Sequence, residues 1–199
     1  MWEHILQQVL ATTPLEWMAF VFGVTQVVLA RLNLRLNFVA GLLSVLGYTV
    51  VFLQAHLYAE SLLNAYYAVI SVWGWWHWSL SEEQEVAIYG FKRADWVKSS
   101  VLTMLLLAIL YAWLSCLTDS TLPLWDAVVT AFAWVGSLYL VYRKLENWLF
   151  LTVSNLVAIP VQWSKGLELT ALLSVLFLVM GLMGYFRWRK VLKATQHIT

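Results

Sequence analysis

Seven apolar segments, each close to the length of a membrane span, follow one another along this chain with short polar connections between them. A helix needs about 20 mostly apolar residues to cross the hydrocarbon core of a bilayer. The segments lack the alternation of apolar and polar residues that typifies barrel strands, and helices satisfy all of their backbone groups inside lipid. The sequence therefore predicts an all-α integral membrane protein with spans at residues 14–30, 38–55, 60–80, 99–117, 124–142, 147–163 and 168–187.

Composition supports a lipid-embedded chain and argues against several other classes. Hydrophobic residues make up 62% of the 199 residues and charged residues only 12%, whereas soluble domains carry about 25% charged residues. A net charge of +1 gives no indication of a nucleic-acid partner, and we expect none. Cys116 is the single cysteine, which excludes an intrachain disulfide and a cysteine metal site. No cleavable signal peptide, P-loop or catalytic motif is evident, so we expect no enzyme, no catalytic residue, no metal and no cofactor.

The positions of the basic residues predict how the chain is oriented in the membrane. All of the 12 lysines and arginines except Lys165 lie in connections or tails that seven spans would place on one side. Lysine and arginine are enriched in the cytoplasmic loops of membrane proteins. The sequence therefore predicts that the N-terminus lies outside the cell and that the C-terminus lies in the cytoplasm.

An internal repeat appears when the sequence is shifted by 110 residues, which aligns 57–78 with 167–188. The matches least explained by apolar composition are Asn37 with Asn147, Phe38 with Trp148, Ser44 with Ser154, Gly74 with Gly184 and Trp78 with Trp188. They predict a single transmembrane domain over residues 1–199, with repeat one at 14–80, a linker helix at 99–117 and repeat two at 124–187. Parallel repeats of this kind are a known transporter plan, with the substrate path between the repeats.

Polar side chains within the spans recur at helical spacing. Glu60, Asn64 and Tyr67 share one face of the third span, and Trp148 and Asn155 share one face of the sixth. Polar groups inside a span are costly unless they face protein, water or a ligand. Two interpretations stay open at this point, because such groups either bond neighbouring helices or line a cavity for a flat, polar heterocycle.

Several stretches together resemble the PnuC family of bacterial vitamin transporters. They are LYAESLLNAYYAVISVWGWWHW in the third span, PLWDAVVTAF in the fifth, and RKLENWLF with KGLELTALLSVLFLVMGLMGYFRWRK in the last two. The resemblance implies a multi-pass protein of the bacterial inner membrane with a 3+1+3 arrangement similar to that of SWEET sugar transporters. It also implies facilitated diffusion of a vitamin, nicotinamide riboside above all, drawn inward by phosphorylation through a cytosolic vitamin kinase.

The resemblance further implies a central cavity lined by Trp, Asn and Gln side chains. The residues that fit this role are Asn64, Tyr67, Trp73, Trp148 and Asn155, with Gln26 and Glu60 as further candidates. Two positions depart from the family pattern, since Leu151 stands where a second aromatic residue is usual and Asn64 where glutamine is usual. Thiamine therefore remains an alternative substrate, and a receptor or scaffold that moves nothing remains an alternative function. Homo-oligomerisation is left open.

Overall fold

The computed structural model describes residues 2–54, 58–80 and 87–196, without the side chains of residues 2, 4, 5, 58–62 and 196. These residues form eight α-helices. They are α1 (Trp2–Ala11), α2 (Pro14–Arg31), α3 (Leu36–Gln54), α4 (Tyr58–Ser79), α5 (Arg93–Leu117), α6 (Pro123–Val141), α7 (Asn147–Ser164) and α8 (Glu168–Gln196). Each predicted span overlaps one helix, from α2 to α8 in order, and α1 is an addition that the sequence reasoning missed.

Two compact units divide the chain, Met1–Glu82 and Glu83–Thr199, called unit 1 and unit 2 below. In unit 1, α3 packs against both α2 and α4. In unit 2, α7 packs against both α6 and α8, and α5 packs against α6. Each unit therefore contains a group of three helices that are consecutive in sequence, and α5 belongs to unit 2.

Local signals in the sequence explain where the helices begin. Thr13 caps α2 through a capping box, in which the Thr13 N–H donates to Glu16 Oε2 at 2.6 Å and the Glu16 N–H donates to Thr13 Oγ1 at 3.3 Å. Asp95 plays the corresponding part for α5, accepting the Lys92 N–H at 3.0 Å. This cap starts α5 at Arg93, six residues before the predicted span.

Helix α8 also exceeds its predicted span, because it continues to Gln196 instead of ending near residue 187. The additional turns carry Arg187, Arg189, Lys190 and Lys193. Lysine and arginine are good helix formers and are favoured near the negative end of the helix dipole. Hydrophobicity marks the part of this helix that suits lipid, whereas helix propensity extends it further.

Four helices of the described chain are long and apolar enough to cross a membrane by length and composition: Leu36–Gln54, Arg93–Leu117, Pro123–Val141 and Glu168–Thr195. Large apolar side chains also point outward along the helices, and Val69 and Met104 expose 66% and 69% of their surface. Such faces are unfavourable in water but are suited to hydrocarbon.

The α2–α3 and α6–α7 connections have the same backbone conformation, 110 residues apart. Asn33 and Arg143 adopt left-handed φ values of +58° and +51°. The next residue along, Leu34 or Lys144, donates its N–H five residues back, in both cases at 3.0 Å. This is the Schellman pattern of helix termination. Arg143 is half-buried there, and desolvation lowers the pKa of its guanidinium from the ordinary value.

Candidate substrate site

The two three-helix groups share buried polar contacts at positions 110 residues apart. Asn37 and Asn147 are both fully buried, and each donates from Nδ2 to the carbonyl oxygen three residues before it, at 2.7 and 2.6 Å. Ser44 Oγ donates to the Ala19 carbonyl at 2.8 Å, and Ser154 Oγ donates to the Val129 carbonyl at 2.7 Å. The serine hydroxyls bond one helix to the backbone of its neighbour, so their polarity serves packing. The Oδ1 atoms of Asn37 and Asn147 are buried without a partner among the described residues.

Each unit also buries an edge-to-face aromatic pair next to a helical glycine. The sets are Phe38 and Trp78 with Gly74 in unit 1, and Trp148 and Trp188 with Gly184 in unit 2. The ring centroids are 5.0 Å apart in the first pair and 5.6 Å in the second. The glycines allow the ring of Phe38 or Trp148 to lie directly against the backbone of the neighbouring helix.

Three amide side chains, those of Gln26, Asn64 and Asn155, are only half-buried, unlike those of Asn37 and Asn147. Gln26 and Asn64 are half-buried, and neither forms a hydrogen bond with any residue that the structure describes. Asn155 donates from Nδ2 to the Leu151 carbonyl at 2.8 Å, and its Oδ1 has no partner among the described residues. These groups keep donors and acceptors available, as Asn37 and Asn147 do at Oδ1, but they are half-buried and therefore more accessible.

The seven predicted site residues are divided between the two units. Asn64 and Tyr67 share a face of α4, as the spacing predicted. Trp73 does not join them, because nine residues of α-helix rotate a side chain by about 180°. The side chain of Glu60 lies outside the described part of the chain. In unit 2, Trp148 and Asn155 stand about two turns apart on one face of α7.

Trp148 combines a packed ring with an unused donor. Its side chain is only 1% exposed, and its ring contacts Gly184 and Trp188. Its indole Nε1 is buried and has no hydrogen-bond partner within the described chain. A buried donor without an acceptor is unfavourable by about 1–3 kcal/mol. A ligand atom that accepts this hydrogen bond would remove the penalty.

Gly41 lies against the side chain of Gln26, one of the predicted site residues, and sequence reasoning did not identify this contact. A Cβ at Gly41 would lie 2.8 Å from Gln26 Cδ, so the glutamine side chain lies directly over this glycine. At the equivalent positions of unit 2 the large and the small side chain are exchanged between the two helices, so that Leu151 lies over Gly136. The signal in the sequence was this exchange across the 110-residue shift, with Gln26 matching Gly136 and Gly41 matching Leu151.

This exchange predicts different outcomes for two alanine variants. In Gly41→Ala the new Cβ meets the flexible end of Gln26, so the thermal midpoint should stay within a few degrees while vitamin uptake falls several-fold. In Gly136→Ala the new Cβ would lie 2.8 Å from Leu151 Cγ and 3.2 Å from the Asn147 carbonyl oxygen. Neither can move easily, so we expect a loss of about 1–3 kcal/mol in the free energy of unfolding. Thermal unfolding and vesicle uptake measure the two effects, and equal destabilisation of both variants would contradict this assignment.

Charged residues at the ends of unit 2 are committed to structure. Lys165 Nζ lies 2.6 and 2.7 Å from the two carboxylate oxygens of Asp126, and Ser120 Oγ donates to the same carboxylate at 2.5 Å. Asp126, in the first turn of α6, is therefore engaged in an ion pair with the residue that follows α7. Among the described residues, no three His, Cys, Asp or Glu side chains group closely enough to hold a metal ion.

A family model described as nicotinamide mononucleotide transporter matches residues 13–190 of this sequence. The chain belongs to this transporter family. The finding confirms the resemblance to PnuC proteins and agrees with the expectation that the chain is a membrane transporter and not an enzyme.

Two nicotinamide riboside transporters and one solved structure are similar to the chain over most of its length. A nicotinamide riboside transporter PnuC of Escherichia coli K12 is 21% identical, covering 87% of the chain and 84% of the relative. The protein of the same name from Neisseria mucosa is 27% identical, covering 90% and 74%. A crystal structure of the vitamin B3 transporter PnuC matches with a TM-score of 0.75 at 26% identity, covering 96% of the chain and 87% of that structure. The all-α membrane architecture is therefore that of the PnuC transporters.

Proposed function

We propose that this protein carries nicotinamide riboside across the bacterial inner membrane by facilitated diffusion. Phosphorylation of the vitamin by a cytosolic vitamin kinase would keep its free concentration low inside the cell and so maintain inward flow. The names of the relatives support this substrate, since two of them are nicotinamide riboside transporters. The membrane architecture supports a carrier embedded in the lipid bilayer.

The observation that carries the proposal is the set of uncommitted amides of Gln26, Asn64 and Asn155. A polar group in a span is expensive unless it meets protein, water or a ligand. A primary amide both donates and accepts, as does the carboxamide of nicotinamide. The aromatic side chains of Tyr67 and Trp148 and the carboxylate of Glu60 complete the proposed set, and a cationic ring gains further from aromatic faces. Trp73, the remaining predicted residue, lies on the face of α4 opposite to Asn64.

The proposal includes seven spanning helices, α2 to α8, in a 3+1+3 arrangement with α5 as the linker. The equivalent hydrogen bonds of Asn37 and Asn147, and those of Ser44 and Ser154, support two related three-helix units. The positions of the basic residues support an external N-terminus and a cytoplasmic C-terminus.

Thiamine is the second candidate substrate, and Leu151 is the residue that favours it. Leu151 packs over Gly136, so this position offers an aliphatic surface where the family pattern has a second aromatic ring. Purified protein distinguishes the candidates, because its 13 tryptophans should report binding of the correct vitamin by fluorescence quenching. Quenching by thiamine alone would show that thiamine, and not nicotinamide riboside, is the substrate. Quenching by neither vitamin would contradict the proposed site. A non-binding scaffold has no need for uncommitted amides.

Asn155→Ala tests the transport site. Removing one amide that bonds the vitamin should reduce the affinity about tenfold, since a hydrogen bond contributes about 1 kcal/mol and more when its partner is left buried. Uptake into proteoliposomes should fall accordingly, while the thermal midpoint changes little because Asn155 bonds only its own helix.

Ser154→Ala is the matched control for that experiment. It removes a bond between α7 and α6 at the adjacent position, and such bonds contribute about 0.6 kcal/mol in membrane proteins. The control should therefore lower thermal stability slightly and leave vitamin affinity unchanged. Unchanged uptake by Asn155→Ala, or an equal loss of affinity in both variants, would show that Asn155 is not a substrate ligand.

A further inference from the structure

The segment before α5 is bound to the α6–α7 turn by backbone hydrogen bonds. The Tyr89 N–H donates to the Arg143 carbonyl at 3.0 Å, and the Leu145 N–H donates to the Tyr89 carbonyl at 2.8 Å. Together they form a parallel bridge between Tyr89 and Lys144. The left-handed conformation of Arg143 turns the chain at this point. The connection into α5 is thus paired with a turn more than 50 residues further along the chain.

Two charged side chains of the same turn extend this attachment. Glu146 Oε2 accepts the Phe91 N–H at 2.9 Å, which satisfies a backbone donor of the connecting segment. Lys144 Nζ lies 3.1 Å from Asp95 Oδ2, the oxygen that also caps α5 at Lys92. One carboxylate and one ammonium therefore hold the beginning of α5 to the beginning of α7. We call the contacts made by Lys144 and Glu146 the linker clamp.

Aromatic packing supports the linker clamp from within unit 2. The ring centroid of Phe91 lies 4.7 Å from that of Tyr139 in α6 and 5.1 Å from that of Trp96 in α5. Ile88, three residues earlier, is 4% exposed. The connecting segment is therefore a packed part of the unit, anchored by apolar as well as polar contacts.

The equivalent turn of unit 1 shows that the clamp residues are not needed to form the turn. The α2–α3 turn has the same Schellman hydrogen bonds and the same left-handed position. At the positions of Lys144 and Glu146 it carries Leu34 and Leu36, whose side chains are 45% and 53% exposed. Charge at these two positions is thus specific to the turn that contacts the linker.

We propose that the linker clamp makes α5 and the three helices α6–α8 a single moving body during transport, with Glu146 as its main positioning residue. This inference rests on the transport function proposed above. Glu146 does not touch the vitamin in this scheme. Its role is to keep α5 attached while the protein changes conformation, so its loss should slow turnover and leave substrate affinity unchanged.

The test compares Glu146→Ala with Leu36→Ala, the same truncation at the unclamped turn. Nicotinamide riboside is added outside the proteoliposomes, and its uptake is measured. Glu146→Ala should lower the maximal uptake rate about fivefold at unchanged Kd, because a hydrogen bond to a charged group is lost. Leu36→Ala should change neither quantity. Glu146→Gln keeps a neutral acceptor and should show an intermediate rate, which also provides a folded variant if Glu146→Ala does not assemble.

A second measurement needs no substrate. In a Cys116→Ser background, the substitutions Met104→Cys in α5 and Val191→Cys in α8 provide two sites for spin labels. The labels report the distance between these two helices. A single narrow distance distribution is expected with the clamp intact, and a broadened one in Glu146→Ala or Glu146→Gln. An unchanged distribution, an unchanged maximal rate, or a weaker Kd would each overturn the proposal. Absence of uptake and of vitamin binding by the unaltered protein would instead refute the proposed substrate, leaving the distance measurement to decide about the clamp.

Discussion

Replacing Gly74 with alanine should prevent unit 1 from packing and greatly reduce the yield of folded protein. A Cβ at this position would lie within 2.5 Å of three carbon atoms of the Phe38 ring. That ring is 2% exposed and is held edge-to-face against Trp78, so it has no free space to move into. Overpacking of a core costs about 1–3 kcal/mol and occasionally more, and we expect Gly74→Ala to exceed 3 kcal/mol.

Thermal unfolding of the purified protein, followed by tryptophan fluorescence, measures this effect. Gly90→Ala is the matched control, because its new Cβ would find its nearest neighbour, Leu192 Cδ2, at an ordinary 3.6 Å. The double variant Phe38→Leu/Gly74→Ala should recover part of the lost stability, since the smaller side chain makes room for the added methyl group. A Gly74→Ala protein as stable as the control would show that α3 and α4 do not approach each other in this way.

Hydrophobic length explains why the positions of the long helices could be predicted from the sequence. It does not report helix propensity beyond the lipid, and for this reason the early start of α5 at Arg93 and the extension of α8 to Gln196 were missed. Helix α1 was missed for a related reason, because its ten residues are too few to span a bilayer. Periodicity identifies apolar runs of span length and overlooks helices shorter than that.

Spacing finds the polar residues of a candidate site but cannot tell which of them are already hydrogen-bonded. Ser44 and Ser154, which match across the 110-residue shift, bond neighbouring backbone, whereas the Oδ1 of Asn155 has no partner among the described residues. The linker clamp was beyond sequence reasoning for another reason. It joins Phe91 to Glu146 across 55 positions, and no local pattern reports such a contact.

Trp148→Phe should separate the packing role of this residue from its role towards the vitamin. Phe38 occupies the equivalent position of unit 1 and packs there against a glycine and a tryptophan, so a phenyl ring fits this environment. The variant should therefore fold, with a thermal midpoint a few degrees below that of the unaltered protein. It removes the indole N–H, which has no partner within the described chain.

Vitamin affinity, in contrast, should fall about 30-fold in Trp148→Phe, because loss of a buried hydrogen bond and of part of the aromatic surface amounts to about 2 kcal/mol. Titration calorimetry is the suitable measurement, since the substitution also removes a fluorescent reporter. Trp188→Phe changes the other ring of the same pair and serves as the control, for which we expect reduced stability at unchanged affinity. If Trp148→Phe binds the vitamin as well as the unaltered protein does, Trp148 only packs, and the substrate site must be built from the uncommitted amides and the aromatic residues of α4.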